Sequence, residues 1–165
     1  MKNNHFNRCL NRYNYYITKA RIRQEWTIFL NSFNWDWFAT LTFKNPPKTY
    51  TAINQVKRWL RALQREEKRK IGYYLCMELT KAGVPHFHLL MGNLQGVRRD
   101  KWWKKWFERC GRARILPFEK NKGAGYYLTK YVLKDEYTSA GLWEVENLEL
   151  LKQGVLDLTK NQRLL

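Results

Sequence analysis

Two of the three histidines in this chain stand one residue apart in an otherwise apolar run, "VPHFHLLM" (84–91). A second strand-like run, "GYYLCMEL" (72–79), comes just before it, and "TKAGV" (80–84) between them holds a glycine suited to a turn. A hairpin centred on Ala82 pairs Glu78 with His86 and Cys76 with His88. Strand side chains alternate between faces, so Cys76, Glu78, His86, His88 and Leu90 share one side and Met77, Leu79, Phe87, Leu89 and Met91 the other. Two imidazoles and a carboxylate then lie within about 5–8 Å of one another at their Cβ atoms. Glu78, His86 and His88 are the expected ligands of one divalent metal ion. Carboxylate and imidazole together suit Mg²⁺ or Mn²⁺, the expected cofactor, with Zn²⁺ as an adventitious guest.

A second set of reactive residues lies in "GAGYYLTKYVLK" (123–134). On a helix, Tyr127, Lys130, Tyr131 and Lys134 fall within about 100° of arc. Leu128, Val132 and Leu133 fall opposite, as a core-facing stripe. A tyrosine is a weak nucleophile at neutral pH, because only about one in 10³ is ionised. Adjacent lysines favour the phenolate. Tyr127 and Tyr131 are therefore candidate nucleophiles, with Lys130 and Lys134 beside them.

The elements that must position these residues follow from periodicity. Residues 18–33 read as an amphipathic helix, with Ile22, Trp26 and Phe29 on one stripe. "DWFATLTF" (36–43) reads as a strand ended by "KNPPK", since proline cannot continue a ladder. A long helix covers about 50–70, with Ile53, Val56, Trp59/Leu60 and Leu63 as its apolar stripe. A further helix covers 97–110, in which Trp103 and Trp106 read as core. Residues 112–119 read as a strand, and the tail suggests a helix around 142–153. With the first helix set aside, the order β-α-β-β-α-β-α predicts an α+β fold, an antiparallel sheet with helices on one face. The chain reads as a single domain over 1–165, with its core at about 36–134, an N-terminal helix at 18–33 and an acidic C-terminal extension at 135–165.

Charge points to the partner. The 165 residues carry +17, and the 31 residues from Asp135 onward hold six acidic against three basic residues, so residues 1–134 carry +20. A surplus of that size calls for a polyanion. Aromatic residues are interleaved with the charge in "RRDKWWKKWFERCGRAR" (98–114), which suits stacking on unpaired bases with cations on phosphates. Arg58 and Arg61 on the long helix, and Arg98, Arg99, Lys101, Lys104 and Lys105 in this segment, are the expected DNA contacts, with Thr40 and Thr42 on the strand at 36–43. No apolar run approaches 18 residues, so no membrane span is expected. The start carries no apolar signal-peptide segment. The three cysteines form no CxxC pair or disulfide framework. A cytoplasmic protein is expected.

In order, "FATLTF" (38–43), "PHFHLLM" (85–91) and "YYLTKYVLK" (126–134) resemble the HUH endonucleases, and more narrowly the Rep initiators of rolling-circle replication in plasmids and phages. The YxxKYxxK form is similar to the two-tyrosine branch of that group. The resemblance implies a five-stranded antiparallel sheet flanked by helices. It places the metal on His86, His88 and Glu78, and the nucleophile on Tyr127 or Tyr131. The implied reaction is transesterification of single-stranded DNA at a replication origin, where a stem-loop can present the strand. It leaves a 5′-phosphotyrosine link and a free 3′-OH. A monomer in a prokaryotic host, working with the host's helicase and polymerase, is the expected context, because no G-x-x-x-x-G-K-[ST] run is present. Two rival readings remain: a transposase or relaxase of the same chemistry, and a non-catalytic module that binds single strands by stacking.

Overall fold

The chain's apolar alternation is resolved by a sheet with one fully buried face. The computed structural model describes residues 17–18, 20–80, 82–120 and 143–152. After a helix over 20–31 (α1) come β1 (Trp37–Leu41), α2 (Thr49–Glu66), β2 (Gly72–Leu79), β3 (Pro85–Gly92), α3 (Arg99–Arg109), β4 (Ala113–Pro117) and β5 (Trp143–Glu146). A 3₁₀ turn, Leu148–Leu151, follows β5. The five strands run β4-β1-β3-β2-β5, and every neighbouring pair is antiparallel. The α+β fold is thus the expected one. The helix expected over 123–134, with Tyr127, Lys130, Tyr131 and Lys134, lies outside the described residues.

One face of the sheet packs on α2 and α3. Ala39, Leu41, Leu75, Met77, Phe87, Leu89 and Met91 meet the α2 stripe Ala52, Val56, Trp59, Leu60 and Leu63. Trp102 and Trp106 of α3 complete this layer, each edge-to-face with Trp59 at about 6 Å between ring centroids. The buried indoles find acceptors, Trp59 on the Trp102 carbonyl, Trp102 on Glu67 and Trp106 on the Thr42 carbonyl. Trp103 does not join Trp106 in the core as its spacing suggests. Trp102 takes that place, one residue earlier, and Trp103 stays 39% exposed. Helix α2 also stops sooner than the basic run implies, because Lys68 takes a left-handed φ of 51°.

The second face is covered at one end only by described elements. Leu30, Phe33 and Trp35, from α1 and the segment after it, pack with Leu151 on Tyr74, Cys76 and Leu90. Gly72 and Gly92 are paired across β2 and β3, and Leu151 lies directly over them. A Cβ at Gly92 would fall 2.6 Å from the Asn34 carbonyl oxygen and 2.7 Å from Leu151 Cδ2. A Cβ at Gly72 would fall 2.6 Å from Leu151.

The acidic tail differs most from its expected form. Residues 143–146 are a strand, not the start of a helix, and pair with Tyr73–Cys76 of β2. The sheet therefore extends past residue 134. The reason is the vacant ladder on the outer side of β2, which satisfies backbone groups that a helix would satisfy internally. Glu144 ties the strand down. Its carboxylate accepts from the Tyr73 hydroxyl at 2.8 Å and meets Lys57 Nζ of α2 at 2.6 Å. Burial works to raise the Glu144 pKa, but the bonds from Lys57 and Tyr73 outweigh it and hold the carboxyl below its ordinary 4.5. Burial, with Glu146 and Glu144 nearby, pushes the Tyr73 hydroxyl well up, so it stays a donor.

Two stability measurements follow from this packing. Gly92→Ala is expected to cost about 1–3 kcal/mol in denaturant unfolding, with part of the loss recovered when Leu151 is also cut to alanine. Glu144→Gln is expected to cost about 1–3 kcal/mol at neutral pH. Because the folded pKa of Glu144 is depressed, its contribution is complete above about pH 4.5 and is lost as pH falls through the folded value. The gap between wild type and Glu144→Gln should therefore narrow on acidification, as read by urea melts across pH.

Candidate active site

The β2–β3 register is the one the alternation predicts: Glu78 faces His86 and Cys76 faces His88. β1 lies on the other side of β3 and sets Thr40 opposite His88 and Phe38 opposite Leu90. β4 continues both rows, with Arg114 opposite Thr40 and Leu116 opposite Phe38. On the sheet face away from α2 and α3, one row therefore reads Arg114, Thr40, His88, Cys76. Glu78 and His86 form the next row. The apolar row Leu116, Phe38, Leu90, Tyr74 lies on the other side and joins the packing under α1.

His88 is 3% exposed, the one polar or charged side chain in the core of the described residues. Its ring lies parallel to Phe38 (interplanar angle 11°, centroids 6.3 Å apart). Its Nδ1 is 3.3 Å from Thr40 Oγ1. Its Nε2 is 3.6 Å from Glu78 Oε2. His86 meets it edge-on, with ring centroids 4.7 Å apart. The imidazole is thus held on three sides, by a flat ring, a hydroxyl and a carboxylate. In the tautomer where Nδ1–H donates to Thr40, the lone pair on Nε2 points to the Glu78 side.

The metal set expected from the sequence is brought to one face, but not around a common point. Among the described residues no group of three or more His, Cys, Asp or Glu side chains is gathered closely enough to hold a metal ion as it stands. Glu78 and His88 touch each other instead. The donor types do suit a divalent cation: two imidazoles and a carboxylate, with the hydroxyl of Thr40 orienting one ring. Glu78 and His86 are only partly buried and have room to turn.

The expected DNA contacts divide between the two faces. Thr40 stands beside His88, and Thr42, the next outward residue of its strand, donates to the Arg112 carbonyl at 2.8 Å. Arg58 and Arg61 lie on α2, and Arg98, Arg99, Lys101, Lys104 and Lys105 on or beside α3, behind the opposite face. Lys101 bonds Glu67 at 2.7 Å, and Lys105 bonds Glu66 at 2.5–2.6 Å, so both tie α3 to the end of α2. Arg98 pairs with Asp100, and Lys104 lies 3.7 Å from Glu108. A groove of about 380 Å³ between α2 and α3 takes in Arg58, Arg65 and Arg109 but is remote from the histidines. Arg112 and Arg114, both exposed, are the cations on the histidine side. Their alternation with buried Ala113 in "RARI" was the available signal.

Fold and site together define an α+β protein whose sheet presents a His-x-His strand against a facing glutamate, on the side away from its packed helices. The chain belongs to a family of replication-associated proteins, the ORF2 type, whose model matches residues 36–136. That span takes in every strand but β5, and both motif histidines. No curated protein and no solved structure matches the chain significantly.

Thr40→Val keeps the shape of the side chain and removes the hydroxyl from His88. The loss of one hydrogen bond is expected to cost about 0.5–1.5 kcal/mol. ¹⁵N spectra of the imidazole should show a redistributed Nδ1/Nε2 tautomer population for His88 and an unchanged one for His86. An unaltered His88 signal would mean that the hydroxyl does not orient the ring.

Proposed function

We propose that this protein is a replication initiator endonuclease that nicks single-stranded DNA at an origin and rejoins strands, using a tyrosine nucleophile beside the His86, His88 and Glu78 cluster. The observation that carries the reading is the row Thr40, His88, with Glu78 and His86 next to it, in a chain of a replication-associated family. A buried imidazole held by a hydroxyl and a carboxylate is a costly arrangement for a core, and it stands where a phosphate could reach it.

In this reading His86, His88 and Glu78 hold a divalent cation, Mn²⁺ or Mg²⁺. When bound, that ion supplies polarisation of the phosphoryl oxygens. Thr40 keeps Nδ1 of His88 protonated and its ring in plane. Arg114, at the end of the row, meets the DNA backbone. The phenol oxygen of Tyr127 or Tyr131, outside the described residues, attacks phosphorus as its proton leaves. The bond from phosphorus to the 3′ oxygen breaks, and that oxygen takes up a proton as a 3′-OH. The phosphotyrosine link keeps the ester for a later joining step. Lys130 and Lys134 favour the phenolate. Two tyrosines one helical turn apart, about 6 Å, would allow a second cut before the first strand is released. Strand opening is left to a helicase of the host.

The test is a covalent-adduct assay with labelled single-stranded DNA from the protein's own replicon, with Mn²⁺ or with EDTA, on a denaturing gel. Wild type should give a metal-dependent protein–DNA band. Tyr127→Phe with Tyr131→Phe should lower it by about three orders of magnitude or more. Loss with one single variant names the first nucleophile. Salt-sensitive binding with no adduct in any condition would favour a binding module instead.

A further inference from the structure

We propose that Trp103 and Phe107 form a stacking platform for unpaired bases of the DNA strand, entered from the histidine row across the β4 edge. The inference rests on the single-strand reading above and adds a second contact surface to it.

Trp103 and Phe107 lie one turn apart on α3, with their rings nearly parallel at 14° and their centroids 4.9 Å apart. They remain 39% and 52% exposed. The indole of Trp103 donates to the Ala113 carbonyl at 2.9 Å. Thr42 N–H bonds the Arg112 carbonyl, so the next carbonyl along β4, that of Ala113, points away from β1 to the outer edge of the sheet. Trp103 is therefore seated at that edge. Capping an edge strand explains an indole there. It does not explain a second large ring, half in water, laid flat on the first. Isolated exposed aromatics are ordinary, but a parallel exposed pair beside cations is what a base stack extends.

The route is short and positively charged. From His88 the row crosses Thr40 to Arg114, two inter-strand spacings or about 10 Å. That is roughly three nucleotide rises of 3.4 Å. Arg112 and Arg114 project from β4 on the histidine side, and neither forms an ion pair among the described residues. Arg99 lies one turn before Trp103, on the same stripe of α3. Phosphates can follow the arginines while bases turn onto the rings. Lys101 and Lys105, bonded to glutamates, are less suited to that task.

The probe is fluorescein-labelled oligothymidylate of about 6 and about 16 nucleotides, sizes that bracket one single-strand site. Anisotropy at fixed ionic strength gives affinities for wild type, Phe107→Ala, Phe107→Leu and Trp103→Phe, with a duplex of the longer length as comparison. Phe107→Leu keeps an apolar cover and removes only the aromatic plane, so it guards against a loss through folding. The expected result is a loss of about 5- to 100-fold in affinity for the longer strand with either Phe107 variant. Duplex affinity should stay within about twofold, and Trp103→Phe, which keeps a ring, should retain most of the binding. The proposal is overturned if Phe107→Leu binds the longer strand as wild type does, or if single-strand and duplex affinities fall together. The adduct assay separates the two readings. An adduct that still forms in Phe107→Leu on a short strand, with length-dependent affinity lost, supports the platform. Absence of adduct in wild type would sink the nicking reaction and leave the binding comparison to stand by itself.

Discussion

The register of the β2–β3 hairpin is the constraint on which everything else depends. A slip of one residue would move Glu78 to the helical side of the sheet relative to the histidines and turn every apolar partner outward. Magnitudes say what prevents it. Met77, Phe87, Leu89 and Met91 are 0–2% exposed against α2 and α3. Each is worth about 1.5–3 kcal/mol of burial. The His88–Glu78 contact, 3.6 Å long and partly solvated, is worth about 1 kcal/mol at most. The chemistry of one face is therefore set by the hydrophobic effect on the other.

The sheet also divides the charge. On the helical side several cations are consumed in holding the layers together: Lys57 on Glu144 of β5, and Lys101 and Lys105 on Glu67 and Glu66. On the histidine side Arg112 and Arg114 stand at the sheet edge. A net charge of +17 attracts a polyanion to the whole molecule, yet only cations near the histidine row can position a phosphate there. Long-range attraction and local placement are performed by different residues. The α2 and α3 arginines belong to the first, and the β4 arginines to the second.

The packing under α1 bears on the site in the same way. Phe38, Leu90 and Tyr74 form an apolar row next to His88, and α1 with Leu151 closes over that row. This gives His88 a dry flank, where a hydrogen bond from or to Thr40 counts for more than it would in water. The glycine pair Gly72 and Gly92 makes room for Leu151 at the far end, so a residue from the acidic tail helps brace the strands that carry the histidines. That tail, which the sequence leaves without a role, supplies the outermost strand.

By itself the sequence determined the local relations. The turn at Ala82–Gly83 and strict alternation on both sides pair Glu78 with His86 and Cys76 with His88. The apolar stripe of α2 and the strand at 37–41 are equally legible, because periodicity is a property of neighbours in the chain. What only the tertiary structure decided are relations between distant segments. Residues 143–146 look like part of a polar tail until the free ladder of β2, about 70 residues earlier in the chain, makes them a strand. Trp102 and Trp103 are adjacent, and only the angle at which α3 meets Trp59 and β4 sends one to the core and the other to the edge. The basic residues of α2 and α3 read as partners of the histidine site, yet they lie behind it, because the sheet that separates them is assembled from pairings no local pattern encodes.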